Sequence, residues 1–569
     1  MLGAASAQHY YFAQNRFTEA DDILWIRGSH SIRFGATIAR IQTNTTNPIA
    51  ENASWTFTSF ANFLAGNAST VTGVIPGPLK TPVKDYRYTE IAPYIQDDWK
   101  LNAKFTINAG IRWQFQSNPY DNGNRLNVIT NYAASTTFSP VSNVFQSNPS
   151  WKNFDPRIGI AYDPFKDHKT SIRAGFGLFH DPITFQAYQA PLGTAPPWQS
   201  STQNNATYPF AFQSITPLLP TQGNAWDWNL KSIPYMIQYN LNIQRELTAG
   251  TVLTLGYVGS HGVHLITGLE RNPPIPTIDA NGVYHFATSA TTPNVRLNPA
   301  LGSFQTLEPI TTSRYNSLQA VLNRRLTRNV QAQAAYTYSR CMDTGAFGIS
   351  SYNGTSATPS GVMNPFQQGI DKAPCSYDIN HVLRVNGIVA LPFHGNRLVE
   401  GWQISGIVST FSGAPFNVNT GFDRAVLQAS FNTPRPNYAP NNAPLTVGGV
   451  TYPGCNDQPI IGTITTWFNP NCYQLEPVGT FGNTGRNTLR GPHFFNTDIA
   501  LLKDTKINEQ LRMQFRAEFF NILNHENFDL PSNNVFSASG AINATAGRIT
   551  GSNPGSQPRQ IQFGLKLTF

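Results

Sequence analysis

The feature that most constrains this sequence is a strict two-residue alternation that recurs in segment after segment. In "FTINAGIRWQFQ", Phe105, Ile107, Ala109, Ile111, Trp113 and Phe115 fall on one side of an extended chain. Thr106, Asn108, Gly110, Arg112, Gln114 and Gln116 fall on the other. "LRMQFRAEF" sets Leu511, Met513, Phe515, Ala517 and Phe519 against Arg512, Gln514, Arg516 and Glu518. The pattern returns in "SIRFGATI", "SIRAGFGLF", "YMIQYNLNIQ", "NVQAQAAYTYS", "HVLRVNGIVAL" and the terminal "RQIQFGLKLTF". A period of two marks strands with one apolar and one polar face. The polar faces carry Arg, Gln, Asn and Gly rather than the Lys and Glu of a solvated surface, and that composition suits a wet interior.

The connections alternate too. Short turns stand near 30, 102, 166, 249, 328, 396 and 507, and long connections cover roughly 43–85, 118–154, 182–234, 262–313, 341–380, 413–493 and 523–558. Between them the pattern predicts fifteen strands: 8–27, 31–42, 86–99, 104–117, 155–163, 171–181, 235–247, 251–261, 314–326, 329–340, 381–391, 402–412, 494–503, 510–522 and 559–569. Tight hairpins at one end and loops of tens of residues at the other predict an all-β fold, an antiparallel transmembrane β-barrel with short periplasmic turns and long extracellular loops. Composition agrees: only 12% of residues are charged, aromatics are 12%, and the chain holds 44 Gly and 41 Pro. No run of 18 apolar residues predicts a spanning helix, and "MLGAASAQHYYFAQNRF" is not a signal peptide.

A set of segments then carries a resemblance. "YIQDDWKLNAKFTINAGIRW", "DPRIGIAYDPFKDHKTSIRAGFGLFHD", "NLNIQRELTAGTVLTLGYVGSHGVHL", "YNSLQAVLNRRLTRNVQAQAAYTYSR" and "MQFRAEFFNILNHENFDLP" resemble the barrel of TonB-dependent transporters, most of all the Oar-like group. The resemblance runs over nearly the whole chain. It implies a barrel of about 22 strands, with a plug domain that the TonB complex displaces while an external ligand passes. Neither plug nor TonB box is readable here, so residues 1–569 are expected to be the barrel portion alone, with signal peptide and first strands lying before Met1. The location implied is the bacterial outer membrane, and the partners are its lipid, the barrel assembly machinery, TonB through the absent plug, and an unnamed external ligand. No cofactor, enzyme activity or nucleic acid is implied. The last strand, with Phe563, Leu565, Leu567 and Phe569 on one face, is similar to the signal that assembly machinery reads.

Alternation alone picks out the residues facing the lumen: Arg33, Arg112, Arg173, Arg325, Arg384, Arg512 and Arg516, with Glu518 among them. One reading is a basic lining that meets acidic plug residues or draws in anionic ligands. The other is ordinary paired charge in a wet interior. His261 and His264 in "GSHGVHL" offer two imidazoles to a metal but have no Cys nearby. Asp97 and Asp98 stand beside a turn and read as turn-end residues. Cys341 with Cys375, and Cys455 with Cys472, each share one long loop, so two bridges are the economical pairing for an exported protein, with free thiols as the alternative. Two other functions remain open on sequence grounds, a passive porin or adhesion barrel and a soluble all-β carbohydrate-binding protein.

Overall fold

A computed structural model of the chain describes residues 11–46, 52–74, 82–183, 200–208, 222–288, 295–327, 329–345, 362–427, 434–439, 445–447, 450–452, 455 and 458–569. Fifteen long strands form the wall. They are β1 (Tyr11–Arg27), β2 (His30–Thr46), β3 (Val83–Asn102), β4 (Phe105–Trp113), β5 (Phe154–Tyr162), β6 (Thr170–His180), β7 (Tyr235–Thr248) and β8 (Thr251–Glu270), followed by β9 (Phe304–Thr327), β10 (Val330–Asp343), β11 (His381–Ala390), β12 (Trp402–Phe411), β13 (Phe494–Lys506), β14 (Arg512–Phe520) and β15 (Gln560–Thr568). Each pairs antiparallel with the next in sequence. The alternation thus predicted the strands and their order. At the first hairpin Gly28 takes φ 58°, the left-handed region that a two-residue turn between paired Arg27 and His30 requires. Among the described residues β1 and β15 each pair on one side only, so the sheet is open along those two strands.

One predicted connection is wrong in extent. Residues 262–313 are not all loop, because β8 continues to Glu270 and β9 begins at Phe304. The ladder slips between Gly262 and Leu265 and then resumes to pair Leu269 with Thr306. At the slip His264 takes φ 55°, and this break in period hid the rest of the strand.

The outward face is a hydrocarbon-facing surface. Ile95, Ile111, Ile158, Phe176, Leu241 and Leu255 are 44–51% exposed, where a soluble core would bury them. Aromatic residues bound the band at both ends. On the loop side Trp113 packs with Phe115 at 5.0 Å, and Trp151 lies 4.7 Å from Phe115. On the turn side Phe105 meets Tyr162 at 5.8 Å, and Trp99 stacks on His30 at 5.1 Å. Phe105 and Trp113 are eight residues apart on β4, roughly 26 Å along the strand; a tilt of about 40° makes that roughly 20 Å of height, close to the band of a membrane barrel.

The buried apolar core lies mainly in the external connections. Leu126, Val144, Phe145, Ile183, Trp226, Leu230 and Ile233 form one cluster with Tyr86 and Leu307. Phe416, Val418, Phe468, Tyr473, Leu475, Leu489, Val535 and Phe536 form another with Cys455 and Cys472. Loops that join strands in a wall thus fold on one another. They also cover one face of the wall at its loop end: Ala39, Ile41, Thr43 and Thr45 on β2 are buried, alternating with more exposed neighbours. That covered face is the inner one.

Candidate functional site

Register defines the inner wall row by row, because residues directly opposite share a face. Arg33 lies opposite Gln96, Gln96 opposite Gly110, Gly110 opposite Arg157, and Arg157 opposite Gly177. A neighbouring row runs Asp98, Asn108, Gly159, Gly175 and Asn240. Arg173 leads a third through Asn242, Gly256, Gln319 and Thr337. Arg384 lies opposite Ala335, Arg512 opposite Lys506, Arg516 opposite Leu502 and Glu518 opposite Ala500, all on this same face. Arg325 follows two residues beyond Asn323, which faces Gln333.

Few of these charges have partners. Arg33 reaches Asp22 at 3.5 Å, with both side chains about half exposed. Arg112 donates to Gln114 Oε1 at 3.1 Å, and Arg516 to Gln514 Oε1 at 2.7 Å. The side chains of Arg173, Arg325, Arg384, Arg512 and Glu518 make no hydrogen bond or ion pair with any described residue. Glu518 therefore does not neutralise the arginines beside it.

A groove of about 340 Å³ lies along β3, β4 and β5, lined by Tyr94, Gln96, Asn108, Arg112, Asp155 and Arg157 over Gly110 and Gly159. His180 holds Asp155, its Nδ1 lying 2.7 Å from Oδ1 while its backbone amide donates to the same oxygen at 3.0 Å. The Arg157 guanidinium lies 4.3 Å over the Phe179 ring. Gly177 makes room for that ring, since a Cβ there would come within 2.8 Å of it. Arg112 is the one groove residue that alternation had singled out. Arg157 and Asp155 were missed, although the run "DPRIGIAY" places both in phase with Gly159. Two arginines, a carboxylate and two amides give the groove a polar, hydrogen-bonding lining.

The external connections are tied by ion pairs whose aspartates are buried. Arg435 meets Asp371 at 2.7 Å, Arg486 meets Asp343, and Arg490 meets Asp378, so three arginines of the connection after β12 hold aspartates at or after the end of β10. The cysteines form two disulfides in the same region: Cys341 with Cys375, Cα atoms 5.4 Å apart, and Cys455 with Cys472, Cα atoms 4.5 Å apart. Cys455 and Cys472 sit inside a packed cluster, so their bridge joins a loop that has an apolar core of its own. Elsewhere Tyr132 donates to Asp227 at 2.6 Å and Arg271 to Glu308 at 2.7 Å, and burial beside Asp227 pushes the Tyr132 hydroxyl well above its usual range.

Other singled-out residues fall apart. His261 Nδ1 lies 2.9 Å from the Ser313 carbonyl, whereas His264 packs its ring against Tyr235. Asp97 lies 2.6 Å from His30 Nδ1 across the turn-side end of the wall, and Asp98 accepts from Asn108. Phe563, Leu565 and Leu567 lie on the outward face of β15, opposite Ala517, Phe515 and Met513, and Phe569 is 90% exposed.

With a lipid-facing band, a polar inner wall and a folded external cap in place, the comparison with known proteins is decisive. Residues 1–562 match the family described as outer membrane beta barrel domain. The chain belongs to this family. It is an outer-membrane β-barrel protein of the bacterial outer membrane, and the soluble carbohydrate-binding alternative is overturned. The barrel is similar to the TonB-dependent transporter Oar of Myxococcus xanthus, 20% identical over 546 residues, covering 86% of this chain and 43% of that protein. Its fold is similar to the outer membrane transporter YddB from Escherichia coli, with a TM-score of 0.50 at 10% identity over 98% of this chain and 54% of the other. The barrel thus spans about half the length of these relatives.

Proposed function

We propose that this barrel forms the wall of a TonB-dependent transporter, through which an external ligand passes when energy supplied through TonB moves a plug. The observation that carries this reading is the inner wall, where Arg173, Arg325, Arg384 and Arg512 face inward without a partner among the described residues. Unpaired guanidinium groups in a wet channel are costly to keep from counter-charges, and they suit an acidic plug surface or an anionic cargo. The likeness to the Oar transporter supports the same reading. The cap folded over the loop end of the inner face gives an external ligand a structured place to bind first.

The test separates energised from passive passage. Cells carrying the complete gene and cells lacking it are compared for depletion of solutes from the medium, with and without a protonophore. Depletion that needs the gene and stops with the protonophore is the expected result. Steady open-channel conductance of the purified protein in planar bilayers, with depletion indifferent to the protonophore, would establish a passive porin instead.

A further inference from the structure

Lys84, with Thr45 opposite it and Thr43 one step along the same face, forms a second inner-face feature, apart from the arginine wall. Lys84 and Tyr86 of β3 lie directly opposite Thr45 and Thr43 of β2, and Asp121 lies opposite Tyr86 on its other side. This stretch stands outside the membrane band. Ile91 is opposite Phe115 of the loop-side aromatic belt, and Lys84 is seven residues further on, roughly 23 Å along the strand. Lys84 is 2% exposed, Thr43 0% and Thr45 4%. Neither hydroxyl has a hydrogen-bond partner among the described residues, and the Lys84 side chain has none either.

The carboxylates nearest the ammonium are held by another cation. Arg125 takes both oxygens of Asp121, at 2.9 and 2.7 Å, and Asp85 at 2.7 Å. Asp121 also accepts from the backbone amides of Asp85 and Arg125. Lys84 feels the field of Asp121 without a bond to it. Burial outweighs that attraction and lowers the ammonium pKa to about 8, so the group is charged at neutral pH and under-compensated. A buried ammonium beside two buried hydroxyls that have no partner among the described residues is a set of donors that suits an acceptor-rich guest.

We propose that Lys84, Thr43 and Thr45 bind an oxyanion, the carboxylate or phosphate group of a ligand that enters from the external side. The site deepens the transport reading by naming a ligand class, yet its test needs no transport. The purified protein in detergent is melted, followed by near-ultraviolet circular dichroism, in rising inorganic phosphate and, separately, acetate. Chloride matches the ionic strength. A ligand that binds only the folded state raises the midpoint with each tenfold increase in concentration.

Wild type is expected to respond to at least one of the two anions beyond chloride, and the arm that responds tells phosphate from carboxylate. Lys84→Met is expected to melt at or above the wild-type midpoint in chloride and to lose the response. Equal responses in wild type and Lys84→Met, or none beyond chloride in wild type, would overturn the site and leave water as the occupant. If Lys84→Met does not fold, Thr45→Val carries the test: a response at least halved supports the site, and an unchanged one overturns it. An anion response without energised uptake would keep this site and remove the transport reading; uptake without the response would do the reverse.

Discussion

Arg435 and Asp371 meet at 2.7 Å with each side chain only 2% exposed, although they lie in different external connections. Arg435 also donates through Nε to the Thr484 carbonyl at 2.8 Å. Removing one partner of such a pair leaves the other charged and dry, which costs about 3–5 kcal/mol, whereas replacing both by apolar groups costs far less. Arg435→Met should therefore open the external cap to protease on intact cells while the wall keeps its resistance to heat in detergent. Adding Asp371→Leu should restore most of the protection. Equal cleavage of wild type and Arg435→Met would show that the pair does not hold the cap.

The two disulfides should act on the same cap. Their cysteines are separated by 34 and 17 residues. Loop-closure entropy then assigns about 3.8 and about 3.1 kcal/mol to them. Mass spectrometry of non-reduced peptides is expected to find Cys341 joined to Cys375 and Cys455 joined to Cys472. Reduction is expected to raise protease cleavage in the connections before β11 and before β13. Free thiols or crossed pairs in protein taken from the outer membrane would refute this.

The wall was legible because lipid on one side and water on the other impose a period of two on every strand. Arg112 and Arg173 could be placed by that period without any knowledge of neighbours. The cap was not legible, since its burial comes from side chains far apart in sequence. Asp371 reads as a loop aspartate until Arg435 arrives from 64 residues away. Lys84 in "VKDYRY" looks like the start of a solvated strand, and only the folded connections bury it. Groove residues fall between these cases. Arg157 was in phase and readable, but nothing local marked it as the neighbour of Arg112, which comes from pairing β4 with β5.

The cap should also weaken as pH rises. Glu476 is fully buried, and the Thr420 hydroxyl meets its carboxylate at 3.2 Å. Desolvation pushes its pKa from 4.5 to about 7, with Asp423 adding to the rise and Arg424 opposing it. A folded-state pKa above the unfolded one means that the folded form keeps a proton the unfolded chain releases. The stabilisation is full below about pH 4.5 and is lost as pH passes through 7, on the order of 3 kcal/mol in all. Protection of the connections around Glu476 in hydrogen exchange should fall over that window, after correction for intrinsic exchange. Glu476→Gln should flatten the dependence, and an unchanged slope in that variant would assign it elsewhere.

The orientation of the wall makes the sharpest prediction, because two residues three apart on one strand should respond very differently to the same substitution. Ile111 faces outward within the band and is 44% exposed, and Asn108 lies on the inner wall beside the groove. An arginine on the lipid face costs about 2–4 kcal/mol near the midplane and less toward the interfaces, whereas an arginine facing water inside a barrel is tolerated. Ile111→Arg should lower unfolding stability in lipid vesicles by a measurable part of that range, and Asn108→Arg should change it by much less. Asp98 lies directly opposite Asn108 and Arg157 lies across from Gly110, so the inner variant gains an anionic neighbour as well as a cationic one, and the small net effect should be sensitive to salt. If Asn108→Arg proved the costlier of the two, the faces would be reversed and every inner residue named on β3, β4 and β5 would face lipid instead.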